Sequence, residues 1–151
     1  MNEQKLVEPL RQSLAELPRV VESLPKDRVH QTPAEGEWSA ASVVVHLADS
    51  EMVYGVRMRL ALTRDRPPLV ALDQEVWERR FAALEPVDAA LARWAALRES
   101  NVRLLESLSS EEWRRSGIHD ERGEESVQRM AEILVDHDRQ HLDQMRRAAT
   151  G

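Results

Sequence analysis

The chain has 151 residues, 42% hydrophobic and 32% charged, with a formal net charge of −6. That profile fits one soluble globular domain over residues 1–151, long enough to bury a core, and excludes a disordered chain. Scattered basic residues argue against a nucleic-acid partner, the lack of a bilayer-length apolar run argues against a membrane partner, and the absence of cysteine excludes disulfides, Cys-ligated zinc and a thiol nucleophile of the chain's own.

Five glycines and abundant Ala, Leu, Glu and Arg predict helices throughout, with no strand pattern and no repeats. The opening "MNEQKLVEPL" lacks the apolar centre of a signal peptide, so a cytoplasmic location is expected. Leu6, Leu10, Leu14, Leu17, Val21 and Leu24 repeat at helical spacing, and Pro18 is expected to kink or break this first helix. A polar stretch follows, and Ser39 reads as the N-cap of a second helix that ends near Thr63, before "RDRPP". Residues 64–86 are far longer than an ordinary helix–helix connection and carry a short helical pattern of their own, "DQEVWERRFAAL". A third helix fits Val87 to Leu108, and Ser109 to Glu112 reads as a capping box opening a short turn. "GIHDERGEE" reads as a loop into the last helix, Glu125 to Ala148. The fold class is all-α, a four-helix bundle.

His137 and His141, in "DHDRQHLDQM", continue the apolar stripe of the last helix, and His46 continues that of the second. One such histidine is usually a hydrogen-bonded core residue, but three together point to a shared metal. "HDRQH" resembles the zincin signature with Asp138 in place of glutamate, yet "LDQMRRAATG" beyond it contains neither His nor Glu for the third ligand. The paired Glu-x-x-His motifs of a di-iron bundle are also missing. His46 lies about 10 Å from the start of its helix, and the other two lie about 13 Å before the end of theirs. The levels match if helices two and four are antiparallel and miss by about 10 Å if they are parallel. That selects up-down-down-up connectivity, with 64–86 as the long crossover between helices two and three.

Three stretches, "EWSAASVVVHLADSE" (37–51), "RRSGIHDERGEESVQ" (114–128) and "HDRQHLDQM" (137–145), resemble the DinB-like superfamily of metal-binding four-helix bundles, the group that includes YfiT-type proteins. The resemblance runs over about residues 2 to 148. It implies the same up-down-down-up bundle, a divalent metal on His46, His137 and His141, and a homodimer. Among characterised members it implies S-transferases and isomerases that use low-molecular-weight thiols such as bacillithiol or mycothiol.

Three neutral imidazoles leave a divalent ion with an open position, the condition for activating a thiol or water against a small-molecule electrophile. Imidazole suits zinc or nickel, and also iron or copper. A chain without cysteine would take its thiol from a low-molecular-weight cofactor. Thiol transfer is therefore the leading expectation, beside a metal-dependent hydrolase and a non-catalytic metal- or ligand-binding module.

Asp49, one turn beyond His46, is a candidate for orienting a ligand or accepting a proton, or else a solvated carboxylate. Arg98 and Asn101 are candidates for binding an anionic substrate or thiol cofactor, with a rim arginine snorkelling to water as the plainer reading. Trp38, Trp77, Trp94 and Trp113 read as core or interface anchors rather than substrate stackers. His119 is expected to be exposed in its loop, and His30 lies on the surface.

Overall fold

A computed structural model describes residues 3–150. After one 3-10 turn at Glu3–Leu6, α1 spans Val7–Ser23 and continues through Pro18, so of the two expected outcomes, a kink or a break, the break does not occur. A proline forfeits one backbone hydrogen bond. Burial of Val7, Leu10, Leu17 and Val20 on both sides of it holds the helix to the bundle.

α2 spans Ala40–Thr63 and begins as expected at Ser39, whose hydroxyl accepts from the Ser42 backbone N–H at 3.1 Å. The crossover contains β1 (Pro68–Leu69) and α3 (Gln74–Phe81), the latter capped by Asp73, whose carboxylate accepts from the Val76 N–H. α4 spans Val87–Glu106, two residues short of expectation, and α5 (Ser110–Trp113) opens with the Ser109/Glu112 capping box.

The segment read as a plain loop is a β-hairpin. Strand β2 (Ser116–His119) pairs antiparallel with β3 (Gly123–Ser126) and parallel with β1. Four-residue strands carry almost no periodic signal, and the β1 pairing is non-local. A Cβ on Gly117 would stand 2.7 Å from Leu69 Cγ, so the missing side chain is what lets β1 and β2 close. α6 (Val127–Thr150) therefore starts two residues later than expected, because 125 and 126 belong to β3.

Pairings between helices set their directions. Asp49–Arg93, Glu51–Arg98 and Arg59–Ser100 rise together along α2 and α4, which are parallel. Arg11 reaches Glu106 while Leu17 shares a core cluster with Ala90, so α1 and α4 are antiparallel. Ser13–Asp138 and Glu16–Arg146 make α1 and α6 parallel. Met58 shares a cluster with Met130 whereas His46 meets His137, so α2 and α6 are antiparallel. The order is up-down-down-up, with α1 and α2 on one diagonal and α4 and α6 on the other.

The core has two clusters. One gathers Leu10, Met58, Leu105, Trp113, Met130 and Leu134, and the other Leu17, Val44, Trp94, Leu142 and Met145. Each fully buried aliphatic side chain stabilises the fold by about 1.5–3 kcal/mol. Between the clusters runs a polar layer to which all four long helices contribute: Ser13, Glu51, Arg98 and Asp138.

Candidate metal centre and its polar support

His46 projects from the second turn of α2, where its ring meets Trp38 edge-on at 5.0 Å. His137 and His141 stand one turn apart on α6. The structure brings all three together: one nitrogen from each ring lies within 4.8 Å of the other two. His46 Nε2 is 2.8 Å from His137 Nε2, and His141 Nε2 is 3.1 Å from it.

The protons on these rings can be placed. His141 Nδ1 lies 2.9 Å from Gln144 Oε1. An amide oxygen only accepts, so His141 carries its proton on Nδ1 and turns a bare lone pair toward His137. Burial pushes His46 down to about 3, with help from the two neighbouring rings, and pushes His137 down to about 4. His141 is lowered by burial too, against the opposing effect of Gln144. All three are neutral at pH 7. His137 Nε2 then holds either one proton or one lone pair, and neither satisfies both short contacts. A cation at the centre satisfies all three nitrogens. Ligands at about 2.0–2.1 Å in tetrahedral geometry lie roughly 3.3 Å apart, close to the two separations at His137 Nε2. The donor set fits a divalent ion.

Beside His137, Asp138 joins the buried layer. The Arg98 guanidinium commits all five N–H donors: two to Glu51 at 2.8 and 2.9 Å, two to Asp138 at 2.7 and 2.9 Å, and one to the Leu10 carbonyl at 3.0 Å. Asn101 donates to the Glu51 carboxylate and carbonyl, and Ser13 donates to Asp138. Arg98 is 1% exposed, which corrects both expectations for it. It neither snorkels nor has a donor left for a cofactor, and Asn101 is likewise spent. Two carboxylates from other helices hold the charge inside. This cross-tie fixes α6 against α1, α2 and α4 at the level from which His137 projects.

Asp49 does face the same cleft as His46. It is clamped at 2.9 Å by Arg93, which also binds Glu85, and burial raises its pKa against the pull of Arg93. His119 is not exposed. At 2% exposure it caps the hairpin turn, its Nδ1 accepting from the N–H groups of Glu121 and Arg122. His30 is exposed as expected. Trp94 and Trp113 are core residues, whereas Trp38 and Trp77 flank the histidines and the cleft.

Sequence reasoning missed Glu51, Asp138, Ser13 and Arg93. Two of them, Glu51 and Asp138, left a signal beside Arg98. Glu51 follows Val44, Leu47 and Ala48, Arg98 follows Trp94, and Asp138 follows Ala131 and Leu134, so opposite charges sit on the buried stripes of three helices.

The DinB superfamily model matches residues 10–145. Among similar sequences, "Putative metal-dependent hydrolase OB0413" of Oceanobacillus iheyensis is 32% identical over 83% of this chain and 73% of its own length. A second protein of that organism, OB0782, named in the same way, is 28% identical over 85% and 77%. In fold, the chain resembles YfiT from Bacillus subtilis, described as a probable metal-dependent hydrolase with an unusual four-helix bundle topology. The TM-score is 0.91 at 23% identity, covering 98% of this chain and 86% of that one. A mycothiol-dependent maleylpyruvate isomerase aligns with a TM-score of 0.75 at 12% identity, covering 95% and 60%.

Proposed function

The chain belongs to the DinB superfamily, and on that premise we propose that it is a metal-dependent enzyme whose His46, His137 and His141 hold a divalent ion, zinc or nickel. The observation that carries the reading is the set of three neutral imidazoles whose facing nitrogens no arrangement of protons satisfies. No fourth histidine or carboxylate joins them among the described residues, which suits an open, reactive site better than a closed structural one. An ion held this way lowers the pKa of a bound thiol or water and supplies a nucleophile at neutral pH.

The residues around the site set the terms of the reaction. With no cysteine in the chain, the nucleophile comes from solution. We assign it to a low-molecular-weight thiol that attacks a small electrophile. The carboxylates at this end of the cleft are engaged, Asp49 by Arg93 and Glu78 by the Ser42 hydroxyl, which leaves little general-base assistance. A thiol starts from a pKa near 8.5 and needs less assistance than water. Hydrolysis is the second reading, favoured by the names of the relatives and by the raised pKa of Asp49, which suits a proton acceptor.

The test is metal analysis of the purified protein and of each histidine-to-alanine variant, followed by assay of the metal-loaded protein. Model electrophiles with bacillithiol, mycothiol, glutathione or coenzyme A are compared with ester and amide hydrolysis. Loss of metal from each of the three variants but not from His30→Ala is expected. Full metal stoichiometry in His137→Ala would overturn the reading. Hydrolysis without any thiol transfer would select the second one.

A further inference from the structure

The cleft that His46 lines runs along α2 between the crossover and the β2–β3 turn, and opens to solvent, with about 650 Å³ of space unfilled by protein when the solvent at its mouth is included. Its two ends differ. At the far end Arg57 is 6% exposed, and among the described residues its guanidinium has no carboxylate partner. Its hydrogen bond is a single one, from Nη2 to the Val70 carbonyl, and its Cζ lies 5.1 Å from the centre of the Tyr54 ring. A buried arginine normally carries its counter-charge with it, as Arg98 does, because an unpaired charge out of water is costly.

Two more donors face the same end. His119 accepts two backbone N–H groups at Nδ1, so its proton sits on Nε2, which is left without a protein partner at the cleft wall. Tyr54 also lines the cleft, and its oxygen accepts from Arg122 at 3.3 Å, leaving the phenolic O–H to donate. The acidic residues of the lining lie elsewhere: Asp49 and Glu78 are engaged toward the His46 end, and Glu121 is exposed.

We propose that Arg57, His119 and Tyr54 form a subsite for the carboxylate of a small-molecule ligand whose reacting atom lies at the His46 end. His46 and Arg57 are eleven residues apart on α2, about 16 Å between Cα atoms, and a helical side chain leans back toward the N-terminus. The ligand therefore carries its charge several bonds from the reacting atom, with its apolar body against Val53 and Trp77. The carboxylate belongs either to the electrophile or to the thiol. The assignment of the reacting end rests on the metal reading above, and the experiment separates the two.

Calorimetric titrations use 4-phenylbutyrate and 4-mercaptobutyrate, each against its uncharged primary amide, on metal-loaded protein and on His137→Ala. At least tenfold tighter binding of a carboxylate than of its amide is expected in the parent protein. The preference should vanish in Arg57→Met, return in Arg57→Lys and survive in His137→Ala, with circular dichroism confirming the fold of each variant. A preference confined to 4-phenylbutyrate assigns the subsite to the electrophile, and one larger for 4-mercaptobutyrate assigns it to the thiol. Equal binding of acid and amide in both pairs overturns the proposal, as does a preference that persists in Arg57→Met. A preference lost in His137→Ala also overturns it, since the anion would then sit on the ion. If no variant or parent binds metal yet the preference holds, the metal reading falls and the subsite stands.

Discussion

Substituting Arg98 with methionine removes the guanidinium while keeping most of its apolar stem. Five hydrogen bonds disappear, and Glu51 and Asp138, with side chains 1% and 8% exposed, are left as two like charges inside the bundle. Asn101 and Ser13 still donate to them, so desolvation is partly compensated. Breaking a buried pair in this way costs about 3–5 kcal/mol. With a urea m-value of about 2 kcal/mol/M, the midpoint should fall by roughly 1.5–2.5 M. The exposed pair of Arg146 with Glu16 is the control, and Arg146→Ala should barely move the midpoint. The triple variant Arg98→Met, Glu51→Met, Asp138→Leu should recover much of the loss, because a well-packed apolar layer is often as stable as the ion network it replaces. A loss below about 1 kcal/mol for Arg98→Met would refute the cross-tie as a stabilising element. A triple variant weaker than the single one would refute its electrostatic origin.

In metal-free protein, His46 at about 3 and His137 at about 4 lie below the ordinary 6.5, so below that pH the unfolded chain binds more protons. Stability should therefore be complete above about pH 6.5 and decline as pH falls from there toward 4. Urea midpoints in a chelator would show the slope, and His46→Gln should flatten it; a flat parent profile would contradict the burial of neutral rings. Added metal should stabilise the parent protein but not His141→Ala by about 2.7 kcal/mol at a hundredfold excess over Kd, read as a rise in melting temperature. Gly55→Ala would set a Cβ 2.8 Å from Asn101 Oδ1 where α2 and α4 meet, and thermal melting should register a loss of about 1–3 kcal/mol. Ser39→Ala removes the cap of α2 and should cost about 1 kcal/mol by the same assay. Sedimentation tests the homodimer suggested by the family resemblance. Of the four tryptophans read as core or interface anchors, Trp94 and Trp113 are spent on the core.

The four long helices, the Ser39 and Ser109 caps, the long crossover and the three histidines were legible in the sequence. Helical periodicity, capping chemistry and the depth of a residue along a helix are local quantities that spacing alone determines. The up-down-down-up order was legible for the same reason: two rings on one helix and one on another meet only in one relative direction. Tertiary structure decided the rest. The three short strands exist because β1 comes back from the crossover to pair with β2 under Gly117, a non-local event without periodic signature. Arg98 looks like a free cation in the sequence and becomes a saturated cross-tie only when Glu51 and Asp138 arrive from two other helices. Arg57 shows the reverse. Nothing in its stretch of the second helix marks it, and only the folded crossover encloses it without supplying a carboxylate. Whether a charge is paired depends on which side chains the packing brings within reach, and spacing along one helix does not contain that information.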